Sequence, residues 1–296
     1  MAVVASASAQ AAGFEVVGHR GARGLRAENT IPAFQEAVRV GATAVELDVV
    51  IARNGFVVVS HERRISPLQC RGPAVGRLVK NLTFEQLLRL DCGTRGADDG
   101  LAQTQVPVPG AHVPLLDQIL RLVGQGRTRV IVELKVDPTR RRETLAAKPF
   151  ARRVVTTLRK ARMLRRTTVQ SYDWGALREV ARLEPRLRLM ALASSKTVYP
   201  GSPWLGGVRV RRDPFPYGLA GAVQRAGFDA VSPDAAKVSP ELIFSAHFRG
   251  LEVLPYTVNA PAEMRRLVEM GVDGLVSDYP DRLRRAVQEA KAPIAG

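Results

Sequence analysis

The chain has 296 residues, 46% of them hydrophobic and only 5% aromatic, with a formal charge of +16 from 44 basic and 28 acidic residues. This composition excludes a disordered chain and demands an aliphatic core, and no apolar run approaches the roughly 18–20 residues that cross a bilayer. The basic excess draws anions, so the partner classes to weigh are phosphorylated small molecules, anionic polymers, membrane surfaces and nucleic acid.

Residues 1–13 are mostly small and uncharged, with Ala-x-Ala steps at Ala5-Ser6-Ala7 and Ala9-Gln10-Ala11. They read as a disordered end or as the remnant of an export signal. From Phe14 a short apolar run followed by a helical pattern recurs to about residue 290, leaving a short tail over 291–296. Strands are predicted over 14–18, 43–49, 129–135, 167–171, 188–193, 229–232, 252–258 and 273–277. Helix starts are marked by Thr30 before Ile31-Pro32, by Thr83 with Gln86 at capping-box spacing, and by Ser239 before Pro240. Gly271 is placed to end the helix before it.

Strands alternating with helices predict an α/β fold, a (β/α)8 TIM barrel forming one domain over 14–290. An open doubly wound sheet would bring a glycine-rich phosphate loop after the first strand, and Gly18-His19-Arg20-Gly21-Ala22-Arg23-Gly24 lacks that spacing. Two insertions, at about 62–112 and 194–217, are long enough to cover the active face. Cys70 and Cys92 lie in the first. Two cysteines are too few for a structural zinc site; one disulfide would fit an exported protein and two thiols a cytosolic one.

The chemistry gathers at strand ends. Glu46 and Asp48 are two apart on one strand and therefore face one side, where two like charges need a cation or a shared proton between them. An oxygen-rich pair of this kind suits Mg²⁺ or Ca²⁺. Asn54-Gly55 signals a hairpin; a two-residue turn there sets Asp48 opposite His61, on an arm above the barrel. His19 and Arg20 end the first strand, a proton carrier beside a fork for phosphate oxygens. Glu133 and Lys135 form another same-side pair, adding a carboxylate for the metal and a cation for the phosphate. His112 and His247 are assigned structural roles. The basic stretch from Arg140 to Arg166 carries Phe150, Val154, Val155 and Leu158 on one helical face, so its arginines form a solvated face. With few aromatics among the charges, nucleic acid is disfavoured.

These residues resemble the glycerophosphodiester phosphodiesterase family. The ordered match is His19-Arg20-Gly21, Glu28-Asn29-Thr30, Glu46-Leu47-Asp48-Val49, His61, Glu133-Leu134-Lys135, Gln170-Ser171, Thr257-Val258-Asn259, Asp273-Gly274 and Asp278-Tyr279-Pro280. The resemblance implies a TIM barrel that hydrolyses glycerophosphodiesters to glycerol 3-phosphate and an alcohol. It implies one divalent cation on Glu46, Asp48 and Glu133, with His19 and His61 as the acid–base pair and Arg20 and Lys135 on the phosphate. Two positions depart from the family pattern: Glu62 stands where Asp is usual, and Tyr256 where Trp is usual, beside the glycerol. The segment holding Cys70 and Cys92 resembles the insertion of exported members, which adds weight to a disulfide and to export. The rival readings are lysophospholipid cleavage ending at a cyclic phosphate, and a non-catalytic protein that binds anionic polymers or nucleic acid. No sequence feature specifies an oligomeric state.

Overall fold

The computed structural model describes residues 13–94, 100–210, 218–290 and 294. The expected leader remnant, most of the C-terminal tail and the last part of the second insertion lie outside the described residues. Among the described residues there are nine strands: β1 (Glu15–Gly18), β2 (Ala44–Ile51), β3 (Val57–Val59), β4 (Arg129–Leu134), β5 (Thr167–Ser171), β6 (Arg188–Ala193), β7 (Ala230–Pro233), β8 (Glu252–Val253) and β9 (Gly274–Ser277). Between them run α1 (Ile31–Arg39), α2 (Phe84–Leu87), α3 (Leu116–Gly124), α4 (Ala147–Lys160), α5 (Trp174–Leu183), α6 (Leu219–Ala226), α7 (Pro240–His247), α8 (Pro261–Glu269) and α9 (Pro280–Glu289). None of these helices is long and apolar enough to cross a membrane.

Eight of the strands pair in parallel, in the order β8-β7-β6-β5-β4-β2-β1-β9. The ring closes where Asp273 N–H donates to Val253 O (3.0 Å) and Val276 N–H to Pro255 O (3.0 Å). The predicted (β/α)8 barrel is therefore the fold. Its inner layer holds Val17, Ala44, Ile131, Met190, Ala230, Leu254 and Val276, while the opposite strand faces pack on the helices around Phe34, Phe150 and Trp174. The predicted amphipathic basic helix is α4, burying Phe150, Val154, Val155 and Leu158.

Alternation along each strand then positions the site. Two residues beyond an inner-layer side chain, the next one on the same face reaches the C-terminal mouth. The rule gives His19 after Val17, Glu46 after Ala44, Glu133 after Ile131, Leu192 after Met190, Ser232 after Ala230, Tyr256 after Leu254 and Asp278 after Val276.

The hairpin arm exists, but its register differs from the expected one. β3 pairs with β2 as Ile51↔Val57, Val50↔Val58 and Val49↔Val59, and Ser60 N–H donates to Asp48 O at 2.9 Å. Ser60, not His61, therefore stands opposite Asp48. The loop is three residues: Gly55 N–H closes a turn on Ala52 O (2.9 Å), and Gly55 takes φ +82°. A type I turn followed by a left-handed glycine shifts the pairing by one relative to a two-residue loop. Asn54 serves the insertion instead, accepting from Phe84 N–H at 3.3 Å. His61 reaches the mouth because the ladder ends at Val59 and the chain bends there.

The helix-start expectations hold for Ser239, which accepts from Leu242 N–H, and for the Thr83–Gln86 capping box. Thr30 occupies its N-cap position but donates its hydroxyl to Ala27 O (2.6 Å) rather than capping. The first insertion packs a small core against the hairpin, with Ile65, Leu82, Leu87 and Leu90 beside Cys70, Cys92 and Val58 of β3. Those cysteines form a disulfide across a separation of 22 residues. Replacing both by serine is expected to lower the unfolding free energy by about 3 kcal/mol through the lost loop closure. Urea denaturation read by circular dichroism checks this; an unchanged midpoint would refute it.

Candidate active site

At the C-terminal mouth, His19, Arg20, Glu46, His61, Glu133, Lys135, Gln170, Tyr172 and Tyr256 line one cavity of about 150 Å³. Glu46, Asp48 and Glu133 each direct a carboxylate oxygen into a common space, all within 4.8 Å of one another and all from buried residues. The residues predicted for the site gather here, while Cys70 and Cys92, expected in the first insertion, lie there and outside the cavity.

Three buried carboxylates this close repel one another. Burial first, then Asp48 and Glu133, push the Glu46 carboxyl well above its ordinary value, although the Arg20 N–H donates to it at 2.9 Å and Gln170 Nε2 at 3.1 Å. Asp48 goes the other way. Its burial opposes the charge, but Lys135, His61 and Arg20, with an Asn29 Nδ2 donor at 2.9 Å, hold it far below the carboxylate range. Lys135 Nζ already stands in as a cation, 2.8 Å from Glu133 Oε1 and 3.3 Å from Asp48 Oδ1. Arg20 Nε and Gln170 Oε1 are buried without a hydrogen-bond partner among the described residues. An all-oxygen donor set with excess negative charge fits a hard divalent cation.

Each histidine has a carboxylate behind it. His19 Nδ1 lies 2.7 Å from Asp278 Oδ1, and His61 Nδ1 lies 2.8 Å from Glu62 Oε1. Glu62, which departs from the usual Asp, reaches the His61 ring. Burial and the neighbouring Arg20 lower the His19 pKa, while Asp278 works against both. Asp278 is itself buried, yet His19, Arg23 and an Asn259 Nδ2 donor at 2.6 Å bring it down to about 2. His112 and His247 stand outside the cavity, at 2.8 Å from Leu90 O and 2.9 Å from Asp273 Oδ2.

Arg20 has φ 49°, in the left-handed region, a conformation that non-glycine residues seldom adopt. The turn sends its backbone N–H to Glu46 while NH1 donates to Glu28 Oε1 at 2.7 Å. On the far wall, Tyr172 OH donates to Tyr256 OH, and Trp204 of the second insertion meets Tyr172 edge-on at 6.3 Å. Burial pushes the Tyr256 phenol up to about 12, so it stays protonated.

Sequence reasoning had assigned no role to Asp278, Asn259, Glu28, Asn29, Gln170 or Tyr172. Gln170, Tyr172 and Asp278 end or follow a strand, and the signal that could have found them was the two-residue step from the inner layer. Glu28 and Asn29 belong to a loop, where no such periodicity applies.

A model of the glycerophosphoryl diester phosphodiesterase family matches residues 19–282. The chain is 26% identical over 275 residues to a glycerophosphodiester phosphodiesterase of Caldanaerobacter subterraneus subsp. tengcongensis, covering 93% of this chain and 98% of that one. A solved structure from Silicibacter pomeroyi DSS-3, assigned to the same family, is 31% identical with a TM-score of 0.84 and 96% of each chain covered. The fold also matches an Oleispira antarctica phosphodiesterase in complex with the product sn-glycerol-3-phosphate, at 19% identity and a TM-score of 0.74, over 93% of this chain and 97% of that one. The chain belongs to the glycerophosphoryl diester phosphodiesterase family, whose members hydrolyse glycerophosphodiesters.

Proposed function

We propose that this enzyme cleaves small glycerophosphodiesters to glycerol 3-phosphate and a free alcohol, using one Mg²⁺ or Ca²⁺ and two histidines. The observation that carries the reading is the convergence of three buried carboxylates with His19 and His61 on one cavity. Glu46, Asp48 and Glu133 would hold the ion, which when bound supplies Lewis acidity toward a non-bridging phosphoryl oxygen.

The chain's own groups do the rest. Arg20, anchored by Glu28, and Lys135 hold phosphate oxygens and offset the charge that builds on them. The glycerol hydroxyl attacks the phosphorus as the P–O bond to the leaving alcohol breaks, and water then opens the cyclic phosphate to glycerol 3-phosphate. His19 and His61 carry the proton transfers, one from each attacking oxygen and one to each departing oxygen. Asp278 and Glu62 orient the rings by occupying Nδ1, which leaves Nε2 for the reacting atoms. Tyr256 and Tyr172 wall the glycerol side, and their paired hydroxyls replace the apolar face that tryptophan gives in the family pattern.

Turnover of glycerophosphocholine and glycerophosphoethanolamine is expected with Mg²⁺ or Ca²⁺ and absent with chelator. Phosphorus NMR should show glycerol 3-phosphate accumulating; a persistent cyclic phosphate, or no turnover with any metal, would reject the reading. The Cys70–Cys92 disulfide supports action in an oxidising compartment outside the cytosol. Cell fractionation that finds the protein only in the cytosol would reject that placement. The +16 charge supports attraction to anionic membrane surfaces or polymers, to be tested by salt-dependent co-sedimentation with anionic vesicles.

A further inference from the structure

We propose that Gln69 is a positioning residue for phosphate binding, through which the disulfide-closed insertion clamps Arg20. The inference rests on the assignment of Arg20 as a phosphate holder. Arg20 NH1 donates to Glu28 Oε1, and the same oxygen accepts from Gln69 Nε2, while Arg23 Nε donates to Glu28 Oε2. Glu28 is only 9% exposed, so these donors rather than water set the direction of its carboxylate. A planar guanidinium bound to that carboxylate turns with it. Two of the donors, Arg20 and Arg23, come from the same loop as Glu28. Gln69 is 41 residues away and ties the loop to the body of the insertion.

That body is braced where Gln69 sits. The Gln69 and Cys70 N–H groups both donate to Ser66 O, at 3.2 and 3.0 Å. Cys70 is bonded to Cys92, and the neighbouring Arg71 and Asp91 exchange both backbone hydrogen bonds, at 2.7 and 2.9 Å. The insertion also grips the middle of the same loop. Thr104 Oγ1 donates to Gly24 O at 2.7 Å, and Val106 N–H donates to Leu25 O at 3.0 Å. The loop between β1 and α1 is therefore held at its middle and near its end by one cross-linked segment. Gln69 does not line the catalytic cavity. Its effect must pass through Glu28 and Arg20 to the phosphate.

Gln69→Met keeps the side-chain length and removes the donor. KM for glycerophosphocholine is expected to rise about tenfold with a smaller fall in kcat, since Arg20 holds the phosphate oxygens of the bound substrate as well as the charge that builds on them. Calorimetric titration with sn-glycerol 3-phosphate should show the same loss of affinity, and Gln69→Lys, which restores a donor, should recover most of it. In the double variant with Glu28→Gln, KM should be no higher than in Glu28→Gln alone, because both changes act on one path. Wild-type KM and affinity in Gln69→Met, or additive effects in the double variant, would overturn the clamp. Lack of turnover by the wild type on any glycerophosphodiester would instead count against the activity, and the calorimetric comparison would still decide the clamp.

Discussion

Glu46→Gln is expected to reduce turnover by roughly 10³-fold while leaving the metal-free protein no less stable than the wild type. The two effects separate because Glu46 has different neighbours with and without a cation. Without one, its carboxyl is buried beside Asp48 and Glu133 and pushed well above its ordinary value, so a neutral amide of the same shape relieves repulsion. With one, the same change removes one of three charged oxygen donors. Mg²⁺ or Ca²⁺ should raise the wild-type Tm, as any ligand that binds only the native state does, and should raise the variant's far less. Thermal melts with and without each ion, alongside kcat, check both halves. A wild-type Tm indifferent to both ions, or full turnover by the variant, would remove the carboxylates from the mechanism.

His19→Ala should lose about 10²–10⁴-fold in kcat, the range of a positioned proton carrier. Asp278→Asn should cost less, but it carries a sharper signature. Burial and Arg20 depress the His19 pKa, and Asp278 is the partner that raises it by hydrogen bond and charge. With the carboxylate gone, that pKa falls further. The limb of the kcat/KM profile that reports His19 therefore moves to lower pH, whichever direction its proton travels. Because Asp278 is held at about 2, it is ionised throughout the assay range and adds no limb of its own. A profile shifted upward, or unshifted with lowered activity, would mean that Asp278 supports the fold rather than the histidine.

Much of the site was legible because a strand has a period of two. Glu46 with Asp48, and Glu133 with Lys135, are same-face pairs whatever the rest of the chain does, and the barrel requires their strands to end at one mouth. His19 follows from the same rule. The hairpin illustrates the limit. Asn54-Gly55 correctly marked a turn, yet the choice between two and three loop residues rests on the backbone conformation at Asn54 and Gly55. Asn54 is engaged by the N-terminus of α2 and by Glu85, contacts that local sequence does not reveal. His61 arrived at the right place by a bend after β3 rather than by cross-strand pairing.

The insertion was the less legible part. Its length and its two cysteines could be read, but its link to Glu28 joins side chains 41 residues apart through no repeating pattern. The same holds for Asp278 behind His19, 259 residues away. Alternation and helix capping are local rules, so the sequence by itself determined the βα order and the acids at the strand ends. Closure of the barrel, the hairpin register, the carboxylate behind each histidine and the grip of the insertion on Arg20 were decided only by the tertiary structure. They depend on which distant groups meet in a buried space where every charge must find a partner.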